Sequence, residues 1–237
     1  MKALIFAAGK GTRLKPFTDH HPKALAPVNG VPLLERNIKY LQSHGINDFV
    51  INIHHFGDQI IQFLIMNDNF GAKIEISDER AELLETGGGL VFAKPFLESE
   101  ADFLIMNADI LTDLNISDLV KSHQDNENFV TLAVSDRKSS RKLLFNEERL
   151  LRGWVNLETG AERLAEPNLD FKPLAFSGIH CINSTIFSKI RRTGSFSIME
   201  EYLDLMRTEE IYGFENTANL VDVGKPEAVA IAEKYFK

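Results

Sequence analysis

Cysteine is almost missing from this sequence: Cys181 is the only one, which excludes an internal disulfide and a metal site built from several thiolates. Long hydrophobic runs are missing too, since no stretch of about eighteen apolar residues, the length of a membrane-spanning helix, occurs. Met1-Lys2 leads directly into a short strand-like run without a cleavable apolar segment. We therefore expect a cytoplasmic protein that does not act on a membrane.

A surplus of positive charge is also absent, because 34 Asp and Glu residues outnumber 26 Lys and Arg residues and give a net charge of −8. Nucleic-acid-binding proteins usually carry a basic excess or a basic stripe, so a nucleic-acid partner is not expected. A small anion held by a few local cations remains possible. The histidine pairs at 20–21 and 54–55 lack the ligand spacing of a zinc site.

Short apolar runs alternate with helical segments in the first half of the chain. Strands are predicted over Ala3–Ala7, Phe49–Ile53, Lys73–Ile76, Phe103–Met106 and Val130–Val134, and helices over Leu33–Ser43, Asp58–Met66, Gly88–Ala93 and Ser117–Gln124. This alternation predicts an α/β fold with a mostly parallel sheet flanked by helices. After Ser135, three β segments follow without long helices between them and predict a smaller antiparallel lobe. One domain over residues 1–237 is the default for this length.

The first predicted strand runs into a glycine-containing loop with the sequence Ala7-Ala8-Gly9-Lys10-Gly11-Thr12. Backbone amides in such a loop can approach phosphate oxygens closely, because no large side chain intervenes. A sharp bend alone would also explain the glycines. Leu14 stands where a dinucleotide fingerprint needs its third glycine, and the P-loop pattern is absent, so a dinucleotide-dependent enzyme is disfavoured. Ala8, Gly9, Gly11 and Thr12 are the candidate nucleotide-binding residues.

Two cations, Arg13 and Lys23, follow this loop. Arginine grips two phosphate oxygens in a fork, whereas lysine acts as a compact point charge, and together they suit a triphosphate that is attacked at its α-phosphorus. Either residue alone would be better explained as a solvated surface cation. Beside a glycine loop, the two together indicate phosphate binding and make Arg13 and Lys23 the candidate catalytic residues.

Two aspartates follow apolar strands far apart in the sequence: Asp109 after Phe103–Met106, and Asp222 after the predicted short strand that begins at Asn219. Ligands of open α/β sheets bind at the carboxyl ends of strands, and Mg²⁺ commonly takes one or two protein carboxylates. Each aspartate is alternatively a cap of the following turn or helix. Asn107 should face the same side as Asp109 and contact a sugar or ribose hydroxyl, or else the neighbouring backbone.

A series of motifs resembles the sugar-1-phosphate nucleotidylyltransferases and follows that family's order. These motifs are Gly9–Thr18, Pro22–Val28, Gly30–Leu34, Leu84–Gly89, Asn107–Asp109, Phe176–Ile179 and Val221–Gly224. The chain is most similar to the short, single-domain enzymes of the type of N-acetylmuramate-1-phosphate uridylyltransferase and mannose-1-phosphate guanylyltransferase. The resemblance implies a Rossmann-like fold of the nucleotide-diphospho-sugar transferase type.

The resemblance further implies Mg²⁺-dependent transfer of a nucleotidyl group, with UTP or GTP favoured, to a sugar 1-phosphate that serves cell-wall or polysaccharide synthesis. It implies that Asp109 and Asp222 are the metal ligands. Base contacts are expected from Glu82 and Gly87, although a tight turn also explains the glycines at 87–89. The candidate sugar-phosphate residues are Asn107, Gly178 and Arg141, the last from a basic cluster at 137–142 that is alternatively a solvated face.

Several departures from the family pattern limit these expectations. Ala108 stands where a glycine is usual, and Lys225 where many relatives have threonine. A C-terminal β-helix repeat is not found, so we expect a single catalytic domain that is a monomer or a small homo-oligomer. A catalytically inactive nucleotide-binding regulatory module is the alternative function, because fold alone does not fix activity.

Overall fold

The computed structural model describes residues 1–166 and 170–237. Its strands are β1 (Ala3–Phe6), β2 (Pro27–Val28), β3 (Val31–Pro32), β4 (Asp48–Ile53), β5 (Lys73–Asp78), β6 (Asp102–Asn107), β7 (Ile110–Thr112), β8 (Val130–Ser135), β9 (Arg141–Phe145), β10 (Leu151–Asn156), β11 (Glu162–Leu164), β12 (Lys172–Asn183), β13 (Ile211–Glu215) and β14 (Leu220–Asp222). Its helices are α1 (Leu33–Ser43), α2 (Gly57–Met66), α3 (Glu85–Phe92), α4 (Lys94–Leu97), α5 (Ile116–Asp125), α6 (Ile186–Lys189), α7 (Ile198–Leu205) and α8 (Pro226–Tyr235). Within the described ranges, none of these helices has the length and apolar character needed to cross a membrane.

Among the described residues, the main sheet has ten strands in the order β11-β10-β9-β12-β6-β1-β4-β5, with β8 paired to β12 and β13 paired to β8. Strands β6, β1, β4 and β5 run parallel, as does the pair β8 and β13. Strand β12 runs antiparallel to β6, β8 and β9. The predicted α/β fold with a mixed, mostly parallel sheet and a smaller antiparallel lobe is therefore confirmed.

Both faces of β1, β4, β6 and β8 are buried, which explains why these strands read as continuous apolar runs. In β1, Ile5 packs in the core on one face of the sheet and Leu4 in the core on the other. Helix α1 contributes Leu34, Ile38 and Leu41, spaced so that they share one helix face, to the same side as Ile5. Helices α3 and α7 cover the opposite face.

A small two-stranded sheet lies apart from the main one and was not predicted as a pair. Strands β7 and β14 are antiparallel, with Ile110 opposite Asp222, although more than a hundred residues separate them in the chain. The N–H of Val223 also donates to the carbonyl of Asp109 at 2.8 Å. This pairing brings the end of β14 beside the end of β6, where a ligand of this fold class binds.

His180 is a fully buried histidine on β12, with its ring edge-on to Tyr202 of α7 at 5.6 Å between ring centroids. Burial lowers the pKa of His180 from 6.5 to about 3. The folded protein therefore keeps His180 neutral, whereas the unfolded chain takes up a proton below pH 6.5. The stability that depends on His180 is complete above pH 6.5 and is lost as the pH falls towards 3.

We predict that His180→Phe makes the stability less dependent on pH between about 6.5 and 4. One proton taken up only on unfolding changes the free energy of unfolding by up to about 1.4 kcal/mol per pH unit. Urea denaturation of wild type and variant over this pH range measures the two slopes. Parallel curves for the two proteins would contradict the prediction, whatever their absolute stabilities.

Candidate active site

A cleft of about 570 Å³ opens at the carboxyl ends of β1 and β6. These strands are parallel neighbours, so the segments that follow them meet at the same edge of the sheet. The cleft is lined by residues 6–13 at the end of β1 and beyond it, and by Asn107, Ala108 and Asp109 at the end of β6. The other lining residues are Lys23, Ala24, Asn52, Leu83, Glu85, Thr86, Ser197 and Gly224. Most of the predicted site residues are thus brought together.

The loop after β1 is held by the side chain of Asn52, which lies near the end of β4. The carbonyl oxygen of this amide accepts from the N–H groups of Ala7 and Ala8 at 2.7 and 3.3 Å. The Ala8 amide, which we predicted to bind phosphate, is therefore already engaged. In the part of the chain that the structure describes, the amides of Gly9, Lys10 and Gly11 have no partner, and these residues line the cleft.

Gly11 is required by the close approach of Lys23. Its φ of 62° is in the left-handed region, and its carbonyl accepts from the hydroxyl of Thr18 at 2.8 Å. A β-carbon on Gly11 would lie 2.8 Å from the β-carbon of Lys23 and the γ-carbon of Thr18. The glycine therefore fixes where Lys23 enters the cleft.

One predicted cation pairs with a predicted carboxylate, and the other lies near the second carboxylate. The ammonium of Lys23 forms a short ion pair with Asp109, and only 12% of the Lys23 side chain is exposed. Arg13 lies against the backbone of Gly224, since a β-carbon there would be 3.1 Å from an Arg13 Nη2 atom and 2.7 Å from Asp222 Oδ1. Two positive and two negative groups therefore converge at one end of the cleft.

The pKa of Asp222 reflects its burial and these neighbouring charges. Burial raises the pKa of the Asp222 carboxyl, and the negative charge of Asp109 raises it further. The charges of Lys23, Arg13 and Arg137 oppose both effects. Two neighbouring carboxylates repel each other unless a cation is shared between them, so the geometry favours binding of an additional positive charge.

The donor chemistry of Asp109 and Asp222 fits Mg²⁺. Both supply hard carboxylate oxygens, and the backbone brings them together, since Asp222 pairs with Ile110 and the N–H of Val223 donates to the carbonyl of Asp109. Among the described residues, no three His, Cys, Asp or Glu side chains cluster as a metal cage. A pair of carboxylates that leaves positions for water and phosphate oxygens is the arrangement that Mg²⁺ commonly uses in phosphate-transfer sites.

Asn107 and Gly178 meet on the other side of Asp109. Gly178 has a φ of 75° and lies in the irregular part of β12, and a β-carbon there would be 3.0 Å from the amide nitrogen of Asn107. Asn107 lines the cleft with Asp109. The two predicted sugar-side residues are thus neighbours at the β12 side of the site.

Three other predicted site residues lie away from the cleft. Glu82 is exposed in the turn before α3, and Arg141 is exposed at the start of β9. Gly87 faces inward: its N–H donates to the carbonyl of Phe196 at 2.8 Å, and a β-carbon would collide with the Phe196 ring. The reason is that α3 begins at Glu85, so Glu85 and Thr86 line the cleft instead. None of the three is among the residues that line the cleft, and the roles assigned to them stay predictions.

Sequence reasoning missed Asn52 and Glu79, which support the nucleotide loop. Asn52 donates to the Glu79 carboxylate at 2.8 Å while accepting from the loop amides. Glu79 is buried, and burial raises the pKa of its carboxyl. A polar residue inside the apolar run Phe49–Ile53 was the available signal for Asn52, because buried polar side chains need partners.

We predict that alanine impairs nucleotide binding at one glycine of this region and protein stability at another. A β-carbon on Gly9 meets no atom within 4 Å, so Gly9→Ala should leave the melting temperature unchanged while it obstructs a phosphate beside the loop and weakens nucleoside triphosphate binding about tenfold or more. Gly87→Ala should lower stability by about 1–3 kcal/mol through overpacking. Thermal melts and triphosphate titrations measure both effects. Unaltered binding by Gly9→Ala would contradict a phosphate position at the loop.

Residues 2–233, nearly the whole chain, match the nucleotidyl transferase family. The chain belongs to this family. The resemblance to sugar-1-phosphate nucleotidylyltransferases predicted from the motifs is thereby confirmed.

Named relatives of this nucleotidyl transferase include guanyltransferases and uridylyltransferases. The chain is 27% identical over 235 residues to a mannose-1-phosphate guanyltransferase of Gibberella zeae, covering 96% of this chain but 62% of that protein. It is 29% identical over 237 residues to an N-acetylmuramate alpha-1-phosphate uridylyltransferase of Caulobacter vibrioides, covering 98% and 95% of the two chains. The chain thus spans less than two thirds of the length of the guanyltransferase relative.

Solved structures share the fold at low sequence identity. HddC from Yersinia pseudotuberculosis, in a complex with GMP-PN, superimposes with a TM-score of 0.81 over 100% of this chain and 99% of that one, at 23% identity. A UDP-glucose pyrophosphorylase complexed with UDP-glucose reaches a TM-score of 0.79 over 99% and 97%, at 17% identity. These similarities establish the fold of the nucleotidyl transferase.

Proposed function

We propose that the chain transfers a nucleotidyl group from a nucleoside triphosphate to a sugar 1-phosphate, which yields a nucleotide sugar and pyrophosphate. The observation that carries this proposal is the convergence of Arg13 and Lys23 with Asp109 and Asp222 beside the amides of the glycine loop. A site that only binds a nucleotide does not require two adjacent carboxylates, whose repulsion is unfavourable without a shared cation.

The reaction is an in-line displacement, in which a phosphate oxygen of the sugar 1-phosphate attacks the α-phosphorus and pyrophosphate leaves. Little covalent chemistry is required of the protein, so its contribution is positioning and charge stabilisation. The amides of Gly9 and Gly11 would bind phosphate oxygens. Arg13 would hold the leaving pyrophosphate in its fork, and Lys23 would neutralise the α-phosphate as the nucleophile approaches.

Asp109 and Asp222 would hold Mg²⁺, which when bound supplies positive charge to the reacting phosphates. Lys23 is paired with Asp109 in this structure. When the triphosphate binds, the Lys23 ammonium would leave Asp109 and pair with the α-phosphate. The side chain therefore needs a change of partner but no change of fold. Thr12, the remaining predicted loop residue, also lines the cleft and would add a hydroxyl donor.

UTP or GTP is the proposed nucleotide, with support from the uridylyltransferase and guanyltransferase names of the relatives. The proposed product is a nucleotide sugar for cell-wall or polysaccharide synthesis. The proposed location is the cytoplasm, and the support for it is the proposed use of a nucleoside triphosphate. We further propose that residues 1–237 act as one catalytic unit, as a monomer or small homo-oligomer. In support of one unit, the main sheet joins strands from both halves of the chain.

The deciding experiment is a grid of UTP, GTP, CTP, ATP and dTTP against the 1-phosphates of N-acetylmuramic acid, mannose, glucose, N-acetylglucosamine and heptose, with Mg²⁺. Pyrophosphate release is the readout. At least one productive pair is expected, and it identifies base and sugar together. Nucleotide binding without pyrophosphate release from any pair would reject the proposed activity in favour of a regulatory nucleotide-binding module.

A further inference from the structure

Arg137 is a half-buried arginine in the segment between β8 and β9, outside the set of residues assigned above. One of its terminal nitrogens donates to the carbonyl of Phe176 at 2.8 Å. Its Nε atom is buried and has no partner among the described residues. A guanidinium has five N–H donors, and a buried donor without an acceptor is unfavourable. The buried Nε–H of Arg137 therefore lacks the acceptor that it needs.

Two features hold the guanidinium in place. Strand β12 departs from its pairing with β8 between Phe176 and His180, which frees the Phe176 carbonyl to accept from Arg137. The ammonium of Lys142, whose side chain is nearly buried, donates to the backbone carbonyl of Arg137 at 2.7 Å. The arginine is thus fixed at both its backbone and its head group.

The charges of Arg137 and Asp222 act on each other. Burial lowers the pKa of Arg137 and the charge of Asp222 opposes this effect, while Arg137 in turn acts to lower the pKa of Asp222. Ile110 links the two places: it pairs with Asp222, and its side chain lies beside Gly178, two residues from the Phe176 carbonyl that holds Arg137. Arg141, the residue of the same basic cluster that was expected to contact the sugar phosphate, is exposed at the start of β9.

Sheet order separates Arg137 from the other two cations of the site. Arg13 follows β1, whereas Arg137 follows β8 and contacts β12, and β6 with its Asp109 lies between β1 and β12. Arg13 and Lys23 therefore serve the β1 side of the two carboxylates. Strands β6 and β8 both run antiparallel to β12, so Asp109 and Arg137, which follow these two strands, lie at the same edge of the sheet.

We propose that Arg137 binds the phosphate of the incoming sugar 1-phosphate and holds it in line with the α-phosphorus. This inference rests on the proposed function. The sugar phosphate is a second anion that must approach the triphosphate, and a preorganised guanidinium fork both neutralises it and orients its oxygens. Lys142 acts as a positioning residue, because it fixes the backbone that carries Arg137.

The test uses the wild-type chain first, with the productive pair from the substrate grid, and then the variants Arg137→Gln, Arg137→Lys and Lys138→Gln. Lys138 is the exposed neighbour, so its variant removes the same charge one residue away. For Arg137→Gln we expect the KM for the sugar 1-phosphate to rise about 30-fold or more, the scale of truncating one partner of a charge-assisted contact. The KM for the nucleoside triphosphate should change less than about twofold.

Arg137→Lys should recover part of the affinity, because it keeps the charge but lacks the fork. Lys138→Gln should behave as wild type. A purely structural role for Arg137 would lower the melting temperature and kcat without a selective rise in the KM of the sugar phosphate, and that result would overturn the proposal while leaving the activity established.

A second readout does not depend on turnover. Phenylglyoxal labelling followed by mass spectrometry measures how accessible the Arg137 guanidinium is. Inorganic phosphate and mannose 1-phosphate should protect Arg137 from labelling, whereas mannose without phosphate should not. If the substrate grid gives no pyrophosphate and protection still occurs, the phosphate site stands without the proposed activity. Equal labelling with and without these phosphates would overturn it.

Discussion

Replacing Lys23 with alanine is expected to lower turnover about 10²–10³-fold, the usual effect of losing one preorganised charge-stabilising group. Lys23 is nearly buried beside the cleft and pairs with Asp109, so bulk water and dissolved cations are poor substitutes for its ammonium. The measurement is steady-state pyrophosphate release at saturating substrates. Because Lys23→Ala frees Asp109 from an ion pair, Mg²⁺ affinity should stay the same or increase while turnover falls.

The matched control is Lys15→Ala. Lys15 follows the same loop, but its side chain is 61% exposed and pairs with Asp19 at the surface, where ion pairs contribute little. We expect wild-type turnover from this variant. Undiminished turnover by Lys23→Ala would reject the catalytic role, and parallel losses of Mg²⁺ affinity and turnover would instead assign Lys23 to the metal site.

Asp222→Asn is expected to lower turnover by about 10³-fold or more. A bound metal contributes several kcal/mol to the stabilisation of transition-state charge, and each 1.36 kcal/mol is a tenfold change in rate. The variant keeps the shape of the side chain but loses the anionic ligand. Turnover and Mg²⁺ binding are measured together, and the apparent Mg²⁺ affinity should fall with the rate.

Stability separates this loss from misfolding. Burial and the charge of Asp109 both raise the pKa of Asp222, so its ionised form is disfavoured in the fold, and a neutral amide in place of this carboxylate should leave the melting temperature unchanged or higher. Asp118→Asn, which changes an exposed aspartate on α5, serves as the control with wild-type activity. A variant that is inactive because it melts at a lower temperature would contradict the assignment of Asp222 to the reaction.

Local patterns in the sequence were enough to predict the parallel strands β1, β4, β5, β6 and β8. The run that became β1 is apolar at successive positions because residues such as Leu4 and Ile5 point to opposite, equally buried faces. The glycine loop and Asp109 could be predicted for a similar reason, since each directly follows a strand whose end lies at the ligand-binding edge. Short elements with weak patterns, such as β7 and β13, were not predicted.

Helix phase and long-range pairing decide which residues of a motif line the cleft, and the sequence shows neither. Gly87 and Glu85 differ by two positions, and the first turn of α3 directs Gly87 towards Phe196 while Glu85 lines the cleft. Within the basic cluster, Arg137 rather than Arg141 turns inward, because a free carbonyl on β12 receives its guanidinium. Neither outcome has a signal in the neighbouring sequence.

The sequence by itself determined the fold class, the family and the chemistry available at the end of β1: a glycine loop, a guanidinium and an ammonium within a short stretch. Only the tertiary structure decided which distant groups join them. Asp222 reaches Asp109 through the pairing of β14 with β7, and Asn52 reaches the loop from a neighbouring strand. Such contacts depend on strand register and sheet order, which arise from packing of the whole chain and not from local residue preferences.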